Sequence, residues 1–124
     1  MVNVSPKAEI AANVTIAPFA TVCDNVKIGA GTWVGPNSTI MEGTTIGENC
    51  KIFPGAVIGA APQDLKYNGE ATELIIGNNV TIRECATLNR GTIANKKTVI
   101  GNNCLIMAYA HIAHDCVLGN NIIL

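Results

Sequence analysis

The stretch VKIGAGTWVGPNSTIMEGTTIGENCKIFPGAVIGA, residues 26–60, decides the fold because every sixth residue is a branched aliphatic. The same spacing continues from Val4 to Leu124 and fails only at Asp64, Glu70 and Ala94. A period of six matches neither an α-helix nor a long alternating strand. It is a signature of a parallel β-helix, in which successive hexads stack coil on coil. In residues 26–60 the aliphatic positions are Ile28, Val34, Ile40, Ile46, Ile52 and Ile58.

The other positions of the hexad are also patterned. The residue after the aliphatic is often Gly or Ala, and the fourth residue after it is usually small. Asn, Gly and Pro fill the positions between, and Gly and Asn tolerate the unusual backbone angles of tight turns. Each hexad therefore predicts a short strand followed by a turn, with three hexads in each triangular coil. Cys50, Cys104 and Cys116 occupy the small inward position and are interpreted as packing residues.

The composition narrows the class of protein further. Hydrophobic residues make up 48% of the chain but aromatic residues only 4%, which favours a narrow, regular interior. The net charge is −1 without a basic run, so we expect no nucleic-acid partner. No apolar stretch is long enough for a membrane span, and because MVNVSPKAEI lacks a charged region followed by an apolar one, we expect no secretory signal. The five cysteines, an odd number without a CxxC motif, favour free thiols and a cytoplasmic location.

The hexad pattern is interrupted over residues 62–74 and 91–99, which are predicted to be loops. Excursions of this length from a regular solenoid are either solvated insertions or functional loops. The first loop places the amide of Gln63, the carboxylate of Asp64 and the ammonium of Lys66 close together. Such a set can bind a polar ligand that carries hydroxyls and phosphates.

Both histidines of the chain lie in AHIAHDC, residues 110–116. Because strand side chains alternate, His111 is predicted to point outward beside the inward Ile112, and His114 follows at the turn. The residues alone leave several interpretations open: an ordinary surface pair, a zinc site completed by a second chain, or a general base oriented by Asp115. A His–Cys nucleophile is disfavoured because Cys116 is expected to point inward.

Three motifs together resemble one enzyme family. AHIAHDC at 110–116, PQDLKYNGE at 62–70 and TIRECATLNRGT at 81–92 are similar to the acyl-carrier-protein-dependent UDP-N-acetylglucosamine O-acyltransferases, which open lipid A synthesis. The resemblance implies an all-β fold, a left-handed parallel β-helix in the form of a triangular prism with two protruding loops. It also implies a homotrimer with sites between neighbouring prisms. It implies no cofactor, and a 3-hydroxyacyl chain carried on the phosphopantetheine of acyl carrier protein as co-substrate.

The resemblance also assigns roles to individual residues. His114 matches the general base that deprotonates the 3-hydroxyl of the sugar, and Asp115 would support it. His111 matches a residue that binds UDP-N-acetylglucosamine. Asn89 stands where some relatives carry a histidine, so an amide would take its place in substrate binding. The loop that holds the sugar and the acyl-phosphopantetheine corresponds to Gln63, Asp64, Leu65 and Lys66.

The family chain is longer than this one and continues through further coils and a helical domain. We therefore expect residues 1–124 to be a truncated β-helix domain with little or no activity by itself, because solenoids normally end in a cap. Two other functions stay open on the residues alone: a zinc enzyme similar to the γ-class carbonic anhydrases, and a non-catalytic β-solenoid.

Overall fold

The structure of the protein, a computed structural model, describes residues 2–124, and these form a left-handed parallel β-helix of about six coils. Seventeen short strands within this range follow one another around three flat faces. Each strand pairs in parallel with strands of the coils before and after it, so the three faces are three parallel sheets. The predicted all-β triangular prism is confirmed.

Each face takes every third strand of the chain. The first face contains β1 (Asn3–Val4), β4 (Thr21–Val22), β7 (Thr39–Ile40), β10 (Val57–Ala60), β13 (Thr87–Asn89) and β16 (His111–Ile112). The second contains β2 (Glu9–Ile10), β5 (Lys27–Ile28), β8 (Thr44–Ile46), β11 (Glu73–Ile76), β14 (Lys97–Ile100) and β17 (Val117–Leu118). The third contains β3 (Thr15–Ile16), β6 (Trp33–Val34), β9 (Lys51–Ile52), β12 (Thr81–Ile82) and β15 (Leu105–Ile106).

The aliphatic track forms the core. On the second face Ile46, Ile76 and Ile100 stand in direct register, and each is no more than 2% exposed. Cys50 and Cys104 are buried in the same core, and Cys116 packs against it, so their interpretation as packing residues is confirmed. At the two ends the coils have a neighbour on one side only. For that reason Ile10 is 37% exposed and Leu124 48% exposed.

The glycine that often follows the aliphatic has a steric reason. The side-chain oxygens of Asn78 and Asn102 accept backbone N–H groups of Glu48 and Asn78, one coil below, at 2.8 Å. A Cβ atom at Gly47 would lie 2.3 Å from the oxygen of Asn78, which is closer than any side chain allows. Glycine therefore lets this asparagine ladder run along one edge of the prism.

The corner turns confirm the predicted need for residues that adopt left-handed backbone angles. Among residues 2–124, half of the non-glycine residues with positive φ are asparagines with φ between 55° and 59°, for which this conformation costs little. Asp115 also adopts it, with φ of 63°. The asparagines in this range are Asn13, Asn25, Asn37, Asn49, Asn79 and Asn103.

Both loops are shorter than the sequence predicts. The first spans residues 61–72 and the second residues 90–96, because β11 and β14 begin earlier than the hexad pattern suggests. The additional residues pair with each other, Glu73 with Lys97 and Leu74 with Thr98. Backbone pairing between the two coils that carry the loops thus extends both strands into the predicted loop segments.

Two buried threonines at the same hexad position differ in their hydrogen bonding. Thr32 donates to the Gly47 carbonyl at 2.9 Å and accepts from the Cys50 amide at 3.1 Å. The hydroxyl of Thr44 is fully buried and has no partner among residues 2–124. We predict that Thr44→Val stabilises the protein by about 1 kcal/mol, because it removes an unpaired buried hydroxyl.

Thr32→Val is the matched control. It should destabilise the protein by about 1–3 kcal/mol, because it leaves two backbone groups unpaired in the core. Urea unfolding of the three proteins measures both changes. Equal destabilisation by the two substitutions would contradict this account of the core.

Candidate functional site

Six of the eight predicted site residues, residues 63–66 with His114 and Asp115, lie on one edge of the prism, between the first and second faces. The first loop, the second loop and the His114–Asp115 turn each connect a strand of the first face to a strand of the second. They occur in three successive coils, and adjacent coils are about 4.8 Å apart. We call this edge, with residues 61–72, 90–96 and His114–Asp115, the loop edge.

His111 lies at the side of the loop edge, on the outer surface of the first face. It is exposed, as the strand alternation predicts, and Ile112 beside it is buried. Its Nδ1 atom lies 2.8 Å from the hydroxyl of Thr87, the residue directly below it in the sheet. That contact holds one ring nitrogen and leaves the rest of the imidazole facing solvent.

His114 is held by its neighbour Asp115. The Nδ1 atom of His114 lies 2.9 Å from Oδ2 of Asp115, and the histidine side chain is 33% exposed. The Nε2 atom has no hydrogen-bond partner among residues 2–124. A neutral imidazole oriented in this way donates Nδ1–H to the carboxylate and offers Nε2 as a proton acceptor.

Asp115 is in turn fixed by the second loop. The Thr92 backbone N–H donates to Oδ1 at 2.8 Å, and the Thr92 hydroxyl donates to Oδ2. The Asp115 amide donates to the hydroxyl of the buried Thr98 at 2.9 Å, and the Asn95 side chain donates to the Asp115 carbonyl at 3.4 Å. The carboxylate therefore has a set orientation before any ligand arrives.

These contacts act on the ionisation of Asp115. Burial would raise the pKa of this carboxyl, but the hydrogen bonds from Thr92 and His114 outweigh it and hold the pKa below its ordinary value of 3.8. The group is thus a carboxylate throughout the neutral range. It can orient the imidazole and stabilise a positive charge that forms on it.

The first loop presents its predicted residues to solvent. Gln63 and Lys66 are exposed, and Leu65 projects fully from the surface. Asp64 makes a local turn, in which its side chain accepts the Lys66 amide at 3.0 Å and its carbonyl accepts the Tyr67 amide at 2.9 Å. No hydrogen bond or ion pair within residues 2–124 joins this loop to either histidine. The structure places the loop and His114 on the same edge without a hydrogen bond or ion pair between them among residues 2–124.

Asn89 is placed differently from the other predicted residues. It ends β13 at an irregularity in the pairing with β10, and it is 2% exposed. Its side-chain nitrogen is buried and has no partner among residues 2–124. Direct substrate contact would require neighbouring groups to move, so its binding role stays a prediction.

Several residues that hold the side chains of this site in place were not predicted from the sequence. Thr87, Thr92 and Thr98 hold His111 and Asp115, and Arg90 holds the first loop, as described below. Threonine is common in hexads, so the residue type carries no signal by itself. Only the pairing of Thr87 with His111 could have been predicted from the sequence, because both residues point outward on successive strands of the first face.

Other features of the described chain bear on the alternatives. No three His, Cys, Asp or Glu side chains within residues 2–124 cluster in a way that could hold a metal ion. A zinc site would therefore need ligands from outside this part of the chain. No helix in the same range has the length and apolarity to cross a bilayer.

The regular solenoid of hexapeptide coils places the chain in a class of bacterial transferases. The family model described as bacterial transferase hexapeptide (six repeats) matches residues 25–60 and 97–124. The chain belongs to this family.

Within the family, the chain is similar to UDP-N-acetylglucosamine acyltransferases. It is 65% identical to the acyl-[acyl-carrier-protein]–UDP-N-acetylglucosamine O-acyltransferase of Chlorobaculum parvum over an aligned segment of 57 residues. This segment is 46% of this chain and 22% of that protein. The crystal structure of the Bacteroides fragilis enzyme superposes with a TM-score of 0.98 at 48% identity, over 99% of this chain and 48% of that one. The Francisella novicida enzyme gives a TM-score of 0.95 at 42% identity, over 98% and 45% of the two chains. The chain thus spans about half the length of these solved structures.

The depressed pKa of Asp115 makes a prediction about stability in acid. A carboxyl whose pKa is lower in the folded state stabilises the fold above its unfolded pKa, and that contribution disappears as the pH falls through the folded pKa. Asp115→Asn should therefore lower the free energy of unfolding at pH 7. The difference from the parent protein should shrink as the pH falls below 3.8.

Urea unfolding at several pH values tests this prediction. Asp24→Asn, which removes an exposed carboxylate several coils away, is the matched control. A difference between parent and Asp115→Asn that is constant from pH 7 to strongly acidic pH would contradict the assignment of these hydrogen bonds.

Proposed function

We propose that this chain carries the base-bearing half of a UDP-N-acetylglucosamine O-acyltransferase. In this proposal the protein transfers a 3-hydroxyacyl chain from acyl carrier protein to the 3-hydroxyl of UDP-N-acetylglucosamine, the first step of lipid A synthesis. The observation that carries it is the His114–Asp115 pair on the loop edge, with Nε2 unpaired among residues 2–124. The similarity to named acyltransferases supports the choice of reaction.

The residues divide the chemistry as follows. Nε2 of His114 accepts the proton of the sugar hydroxyl, and Asp115 stabilises the imidazolium that forms. The sugar oxygen attacks the thioester carbonyl, an ester bond forms and the carbon–sulfur bond breaks. The departing thiolate of phosphopantetheine takes the proton from His114, so the enzyme returns to its starting state without an acyl-enzyme intermediate. No cofactor is needed beyond the carrier-bound acyl chain.

The other predicted site residues bind the substrates in this proposal. His111, three residues before the base, presents its free ring edge to the sugar nucleotide. Gln63, Asp64, Leu65 and Lys66 offer hydrogen bonds, a positive charge and an apolar surface to the sugar and the acyl-phosphopantetheine. Asn89 lies beneath this region. We further propose that the working form is a cytoplasmic homotrimer, in which a neighbouring prism completes each site.

The test is an acyl-transfer assay on the complete protein that carries this sequence. With 3-hydroxyacyl carrier protein and UDP-N-acetylglucosamine, His114→Ala should lower kcat by about 10²–10⁴-fold, because a positioned general base contributes that much. His111→Ala is the matched control, since it removes the only other histidine among residues 1–124. It should raise KM for the sugar nucleotide more than it lowers kcat.

Two outcomes would contradict the proposal. Unchanged turnover in His114→Ala would remove the assignment of the base. Stoichiometric zinc in the purified protein, lost in His114→Ala together with a hydratase activity, would favour the zinc enzyme instead.

A further inference from the structure

The tight turn Arg90–Gly91–Thr92 lies in the coil between the first loop and the His114–Asp115 turn. Its backbone is fastened to the two strand ends that flank the first loop, since the Arg90 amide donates to the Ala60 carbonyl at 2.9 Å and the Gly91 amide donates to the Glu73 carbonyl at 3.0 Å. A Cβ atom at Gly91 would lie 2.3 Å from the Lys97 backbone nitrogen, so no side chain fits there. The positions of the two flanking side chains are therefore tightly determined.

On one side of the turn, Thr92 directs both of its donors at Asp115. The backbone N–H reaches Oδ1 at 2.8 Å and the hydroxyl reaches Oδ2, the same oxygen that faces Nδ1 of His114. Thr92 is 6% exposed, so solvent cannot replace its hydroxyl without rearrangement. His114 is the only titratable side chain among residues 2–124 that contacts this carboxylate.

On the other side, Arg90 holds the first loop against the prism. Its guanidinium donates to the Gly59 carbonyl at 3.1 Å, and its Nε and Nη2 atoms donate to the Tyr67 hydroxyl at 3.3 and 3.2 Å. The guanidinium carbon lies 5.8 Å from the centre of the Tyr67 ring, and the side chain is 12% exposed. The Tyr67 hydroxyl in turn donates to the Glu70 carbonyl at 2.7 Å, which closes the loop.

We propose that Arg90 and Thr92 are positioning residues that align the two halves of the site from one rigid turn. Thr92 sets the orientation of Asp115 and, through it, of the base His114. Arg90 sets the height of the loop that carries Gln63, Asp64 and Lys66 above the prism. This inference rests on the proposed function, because it gives each residue a separate part of the acyl transfer.

The two halves predict different kinetic signatures in the complete protein. Thr92→Val should lower kcat by about 10- to 100-fold with little change in KM, because a misplaced catalytic group loses rate more than binding. Thr92→Ser keeps the hydroxyl and should restore kcat to within about twofold of the parent.

A measurement that does not depend on activity isolates the role of Thr92. Carbon-13 NMR titration of the Asp115 carboxyl should show a pKa below 3.8 in the parent protein and in Thr92→Ser. In Thr92→Val the pKa should rise, because the carboxylate keeps its burial but loses a hydrogen-bond donor. A purely structural role for Thr92 would leave this titration unchanged.

Arg90→Lys tests the other half of the proposal. Lysine keeps the charge but cannot reach the Gly59 carbonyl and the Tyr67 hydroxyl with one planar group. The KM for the sugar nucleotide should rise by about tenfold while kcat changes less, since loss of charge-assisted hydrogen bonds of this kind loosens the loop. Arg83→Lys is the matched control, because Arg83 also stacks on an aromatic ring, at 4.4 Å from Phe53, but directly follows β12 of the third face and is not part of the loop edge.

The outcomes separate this inference from the proposed function. If His114→Ala abolishes turnover while Thr92→Val leaves both kcat and the Asp115 titration unchanged, the positioning role of Thr92 is wrong and the base assignment stands. If Arg90→Lys behaves like Arg83→Lys, the role of Arg90 is wrong. A shifted Asp115 titration in Thr92→Val, with full activity in His114→Ala, would support the contact and overturn the proposed function. Thermal unfolding of each variant establishes that it is folded.

Discussion

The structure depends on one constraint, the parallel register that sets each coil directly on the one below. Ile46, Ile76 and Ile100 are paired residue by residue, and the same pairing continues outward to the surface side chains. Because an aliphatic residue must be placed inside at each strand, the neighbours of that residue are placed outside at fixed positions. Residues that are far apart in sequence, such as Thr87 and His111, therefore contact each other on the surface because the register stacks their strands.

The same register explains how the protein accommodates two loops. A loop that leaves and re-enters at one edge leaves the stacking of the other two edges unchanged, so the core continues past it. Both loops leave at the edge that carries the His114–Asp115 turn, which lies one coil beyond the second loop. The second loop is then close enough to bind Asp115 through Thr92, and the first is held through Arg90. The loops and their polar side chains thus lie together on the loop edge, while the other two edges of the prism remain regular.

Much of this arrangement could be predicted from the sequence. The six-residue period predicts the prism, the inward Ile112 and the outward His111, because burial and alternation are local consequences of the repeat. The loop lengths and the burial of Asn89 could not be predicted, since both depend on pairing between β11 and β14 and on the irregularity between β10 and β13. The contact between Thr92 and Asp115 could not be predicted from the sequence either, because a threonine at the start of a loop has many possible partners before the coils are stacked.

In the proposed function, the loop edge binds UDP-N-acetylglucosamine with its 3-hydroxyl at Nε2 of His114. A crystal structure of the complete protein with this sugar nucleotide measures that distance directly. We expect a heavy-atom separation of about 2.6–3.2 Å, with the sugar between the first loop and His114. A sugar nucleotide bound away from the loop edge, or a metal ion at Nε2 of His114, would contradict it.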